Sequence, residues 1–81
     1  MKATPYFTEQ VLRKRPYIKQ EWCEAIVANP VKREVQPDGR IRFWGQVPEL
    51  GGRWLRVVTL ADEETLLNAF PDRNFKPVRG K

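Results

Sequence analysis

Eighty-one residues, 41% of them apolar and 31% charged, read as one globular domain with a single modest core, not as a disordered chain or a multidomain enzyme. The absence of histidine and serine excludes histidine-based acid–base chemistry and a serine triad, and with only one cysteine a metal site is not expected. The net charge of +5 favours an anionic partner, nucleic acid first, because neutralising phosphates releases counterions whatever the base sequence.

No apolar run approaches the roughly 20 residues of a bilayer crossing. The opening MKATPYFTEQ has a lysine but no apolar stretch behind it, so neither a membrane segment nor a secretion signal is expected. A cytoplasmic protein with the lone Cys23 reduced follows from that reading.

Thr4 and Pro5 suit the cap and first position of a helix, and Phe7, Val11 and Leu12 recur at helical spacing behind them. Pro16 ends this helix, and the run Arg13, Lys14, Arg15 falls in its last turn. There it either complements the helix dipole or contacts phosphate. A second helix spans about 18–28, with Ile18, Trp22, Cys23, Ile26 and Val27 forming its apolar stripe and Asn29-Pro30 stopping it. Cys23 inside that stripe is expected to be a small buried hydrophobe.

Four strands follow. The first covers 31–36 and turns at Pro37-Asp38-Gly39, the second covers 40–47, the third 53–60 and the fourth 65–70. Gly45 is a candidate bulge, Pro71 ends the last strand, and Phe75 anchors part of the tail while the last four residues fray. The expected architecture is α+β: two N-terminal helices packed on one face of a four-stranded antiparallel sheet, one domain over 1–81 with its ordered core at about 5–77.

Period-2 alternation then decides the chemistry. Ile41, Phe43 and Val47, with Leu55, Val57 and Thr59, form the core face. Arg40, Arg42, Trp44 and Gln46, with Trp54, Arg56, Val58 and Leu60, form the face that the helices leave open. Asn68 and Phe70, or Leu67 and Ala69, join them according to the register of the last strand. The positive excess peaks here, at +3 over residues 31–60. Rings interleaved with guanidinium groups suit single-stranded RNA, where each stacked base contributes ~1–3 kcal/mol. The other reading is a cross-strand tryptophan pair that covers the sheet with arginine stems over it.

Two short helices ending in Asn29-Pro30, followed by the segments NPVKREV, PDG, RIRFWGQVPELGGRWLRVVTL and TLLNAFPDRNFKP, resemble over Phe7 to Pro77 a family of small bacterial proteins of unknown function. That family is in turn similar to the RelE/BrnT-like toxins of toxin–antitoxin pairs. The resemblance implies a RelE-like fold, a metal- and cofactor-independent endoribonuclease acting on RNA, and a cognate antitoxin protein as partner. A functional arginine at the end of the sheet corresponds to Arg73. The histidine that relatives carry in the first helix has no counterpart here.

Cleavage of RNA by its own 2′-hydroxyl needs a base, charge stabilisation at the phosphate and an acid for the leaving oxygen. The candidates for charge stabilisation are Arg42, Arg56 and Arg73. Lys76 and Asp72 are candidates for handling protons, with Glu49 in the loop between the central strands. The nucleic-acid-binding set is Trp44, Trp54 and Arg40 on the sheet and Arg13, Lys14 and Arg15 on the first helix. The alternative is a non-catalytic RNA- or protein-binding module on the same scaffold, dimeric if the tryptophan face is its own interface.

Overall fold

The first helix starts as its sequence dictates: Thr4 Oγ1 accepts the Phe7 N–H at 3.1 Å, and Pro5 follows it. The computed structural model describes residues 1–77. Its elements run β1 (Lys2–Ala3), α1 (residues 5–14), α2 (Gln20–Ala28), β2 (Lys32–Val35), β3 (Ile41–Val47), β4 (Arg53–Thr59) and β5 (Thr65–Pro71). Within α1 the turn Phe7–Val11 winds as a π-helix, with the Leu12 N–H bonded to the Phe7 carbonyl. That widening seats both Phe7 and Val11 in the core. The expectation that the last four residues fray falls on 78–81, outside the described residues.

The sheet has five strands in the order β1-β5-β4-β3-β2, and it is mixed rather than purely antiparallel. Residues 2–3 run parallel to β5, with the Lys2 N–H on the Glu64 carbonyl at 3.0 Å and the Thr4 N–H on the Leu66 carbonyl at 2.9 Å. This corrects the four-stranded expectation. A two-residue strand is too short to carry any periodic signal, and its pairing satisfies backbone groups that pass along the edge of β5 before α1 begins. The other three pairings are antiparallel, as their short connections require.

Both helices lie on one face. Phe7 and Val11 of α1 and Cys23 and Ile26 of α2 pack against Phe43, Leu55, Val57, Leu66 and Ala69. Phe7, Phe43, Leu55 and Leu66 are wholly buried, each contributing ~1.5–3 kcal/mol by leaving water. Cys23 sits among them, and burial, reinforced by neighbouring Glu24, pushes its thiol pKa up to about 12. The thiol therefore stays protonated and behaves as the small hydrophobe its position suggested.

Gly45 forms no bulge, because β3 and β4 pair without interruption through Gly45↔Leu55. The glycine instead lets α2 approach the sheet: a Cβ built there would lie 2.8 Å from Ile26 Cγ1. The bulge lies between β4 and β5, at Val58/Thr59. It shifts the register so that Leu66 and Ala69 both enter the core while Asn68 and Phe70 face away. Gly45→Ala should destabilise the fold by about 1–3 kcal/mol through overpacking against Ile26. A lowered urea midpoint reads this directly, and an unchanged midpoint contradicts the close approach.

Candidate functional site

The face without helices carries Arg42, Trp44 and Gln46 from β3, Trp54, Arg56 and Val58 from β4, and Asn68 and Phe70 from β5. One row across it stands out in chemistry. Lys32, Trp44, Arg56 and Phe70 occupy facing positions on four successive strands, so cation and ring alternate. Lys32 Nζ lies 5.6 Å from the Trp44 ring centroid. The Arg56 guanidinium lies 5.8 Å from Trp44 and 4.6 Å from Phe70. Arg15, just past the end of α1, continues the row at 5.8 Å from Phe70. Each such contact contributes ~0.5–1 kcal/mol at an exposed site and more where water is excluded.

Asp72, the first residue past β5, ties this row down. Its Oδ2 accepts the Trp44 Nε1–H at 3.0 Å and lies 3.3 Å from the Arg56 guanidinium, while its Oδ1 accepts the Asn74 N–H at 3.1 Å. The Trp44 hydrogen bond, with Arg56 and the backbone N–H adding to it, holds the Asp72 carboxyl below the usual carboxylate range. The turn at 72–75 brings Phe75 back over the face. Its ring stacks on Trp44 at 5.2 Å and 12° and meets Trp54 edge-on at 4.8 Å. Trp44 is left only 5% exposed. The Arg56 Nε–H is buried and finds no acceptor among the described residues.

Beside this covered row the surface opens. Arg53 and Trp54 at the start of β4, Pro71, Asp72 and Arg73 at the end of β5, and Tyr17 from the link between the helices enclose a recess of about 370 Å³. Arg53 and Arg73 are exposed, and among the described residues neither has a carboxylate within ion-pair distance. Two guanidinium groups and two rings thus border one concavity.

The remaining expected residues are dispersed. Arg42 pairs with Glu34 at 3.2 Å near the β2–β3 turn, at the opposite end of the sheet from Arg73. Arg40 lies 3.8 Å from Asp38 and lines a shallow hollow with Tyr6, Leu67 and Asn68. Glu49 is exposed on the 3₁₀ turn Pro48–Leu50 and borders a groove with Trp22 and Ile26 on the helix side. Lys76 is exposed past Phe75, and Arg13 and Lys14 stay exposed on α1, which packs on the other side of the sheet. Trp44, with Phe75 stacked on it, has no open ring face to offer in this arrangement, whereas Trp54 is half-buried at the recess.

Sequence reasoning missed Tyr17 and Arg53. Tyr17 follows a proline in an irregular link, and Arg53 sits at a hairpin end where alternation says little. Among the described residues no three of His, Cys, Asp and Glu gather as a metal ion would need. No helix there is long and apolar enough to cross a membrane.

Compared with protein-family models, curated proteins and solved structures, the chain finds no match in any of the three.

The Asp72 clamp has a pH signature. A carboxyl whose folded pKa is lowered contributes stability that is full above its unfolded value of ~3.9 and is lost as pH falls through the lower folded value. Wild type should therefore exceed Asp72→Asn in unfolding free energy above about pH 5, with the gap closing on acidification below ~3.9. Urea unfolding across pH 2.5–7, as an approximate range, measures this, and a gap that ignores pH contradicts the clamp.

Proposed function

We propose that this protein is a non-catalytic RNA-binding module that takes single-stranded RNA at the end of its sheet, where the helix-free face opens into the recess bordered by Arg53, Trp54, Arg73 and Tyr17. The single observation that carries the reading is this meeting, in one concavity, of two rings with two guanidinium groups that have no ion-pair partner among the described residues. Exposed rings accept any base by stacking, and guanidinium groups take the phosphates between them. The row of Lys32, Arg56 and Arg15 adds positive potential along the same face, with Asp72 as the carboxylate between them.

The endoribonuclease and toxin reading, with its antitoxin partner, draws less support from the geometry. It needs a proton acceptor beside gathered arginines. Asp72 is committed to Trp44, Arg56 and Asn74, and its lowered pKa makes it a weak base. Glu49 lines the helix-side groove and not the recess, and Arg42 stands at the opposite end from Arg73. Binding without cleavage fits these positions better.

Fluorescence anisotropy with a labelled single-stranded RNA over a salt series tests the proposal. Arg53→Ala and Arg73→Ala should each weaken binding and flatten the log–log salt slope by ~0.7. Trp54→Ala should cost ~1–3 kcal/mol. Absence of binding at low salt overturns the reading. Cleavage of the same RNA in EDTA, lost in Arg56→Ala or Arg73→Ala, would replace it with the nuclease.

A further inference from the structure

The free edge of β2 has its own chemistry. All four residues of β2, Lys32, Arg33, Glu34 and Val35, are exposed, and so is Val31 just before it. Val31 and Val35 are 58% and 56% exposed, the two most exposed of the large hydrophobic side chains among the described residues. The Gln36 N–H bonds to the Arg40 carbonyl, so the even-numbered residues of this strand turn their backbone groups toward β3. Arg33 and Val35 therefore turn theirs outward, unpaired, at the edge of the sheet.

We infer that this edge pairs with the same edge of a second copy, antiparallel about a two-fold axis through Arg33. The register follows by elimination. The Val31 N–H is held inward by the Trp44 carbonyl at 2.8 Å, so the outward N–H groups are those of Arg33 and Val35, and an odd residue must face an odd residue for them to pair. Three symmetric registers keep the short strand paired. One sets Glu34 opposite Glu34 of the other copy, and another sets Lys32 opposite Lys32; each places like charges in contact and brings no opposite charges together. The third sets Arg33 opposite Arg33, Lys32 opposite Glu34 and Val31 opposite Val35. It alone matches opposite charges at two symmetric positions and covers both exposed valines.

The arginine pair at its centre is already compensated. Each Arg33 holds Glu63 of its own chain through two hydrogen bonds, at 2.9 and 2.7 Å, so each guanidinium reaches the axis with its charge already balanced. Charged side chains ordinarily discourage edge pairing, but a charge pattern that complements itself favours one partner, this same strand. Val35 would also meet Val31 at the rim of the apolar groove that Val31 shares with Trp22 and Ile26. The two-fold runs perpendicular to the sheet. Both helix layers then fall on one side and both open faces on the other, as one continuous ten-stranded sheet.

Sedimentation velocity of the full chain tests this. Wild type should run at about 19 kDa, twice the chain mass of 9.5 kDa. Arg33→Pro removes an outward N–H without touching the bonds to β3, and should give a monomer with an unchanged circular dichroism spectrum. Independently, Lys32→Glu alone and Glu34→Lys alone should each weaken the dimer by roughly tenfold or more, and the double swap should restore it. A monomeric wild type, or a double swap no tighter than its single parents, overturns the proposal. So does a dimer that survives Arg33→Pro but is lost in Trp54→Ala, which would place the seam on the ring face instead.

Discussion

One carboxylate organises the face opposite the helices. Asp72 receives the indole N–H of Trp44 and faces the guanidinium of Arg56, and those two residues stand directly across from each other on the two central strands. Its position just past Pro71 is set by the strand it ends, with its own N–H bonded to the Trp54 carbonyl at 2.9 Å. The chain can then turn back and lay Phe75 on both tryptophans. Without that charge the half-buried guanidinium of Arg56 would keep only its contacts with the two rings. The closed row and the open recess are thus two consequences of one tether. What Asp72 draws together is covered, and what lies just beyond it, at Trp54 and Arg73, stays accessible.

Alternation alone exposed much of this. Ile41, Phe43, Leu55 and Val57 point to the helices and Arg42, Trp44, Trp54 and Arg56 away from them, because side chains in a strand must take turns and apolar ones win the inside. The general α+β class and the burial of Cys23 follow from the same kind of pattern. What stayed hidden depends on tertiary contact. Lys2–Ala3 is a strand only because β5 offers it an edge. The bulge at Val58/Thr59 sends Ala69 to the core and Phe70 to the open face, with Leu67 lining the same hollow as Asn68, and no local periodicity encodes it. Gly45 reads in sequence as an irregularity of the strand, whereas its lack of a side chain serves Ile26 on another element.

Stability and the proposed RNA recognition draw on the same residue types here, and burial separates them. Arg56 is 28% exposed and engaged with Asp72, Trp44 and Phe70, so it holds the face together. Arg53 and Arg73 have the same chemistry without those partners, and for a polyanion they are the accessible charges. An alternating count of arginines and tryptophans along β3 and β4 weighs them equally, because it cannot see the turn that folds Phe75 over one indole and leaves the other half open.

The three indoles give a direct readout of which face meets a ligand. Trp54 borders the recess, Trp44 lies beneath Phe75, and Trp22 lies across the sheet with α2. Titrating single-stranded RNA into ¹⁵N-labelled protein should move the Trp54 indole N–H resonance most, and Trp44 less. Trp22 should stay where it is. Movement of Trp22 with Trp54 unchanged, or no movement of any of the three, would contradict recognition at the helix-free face.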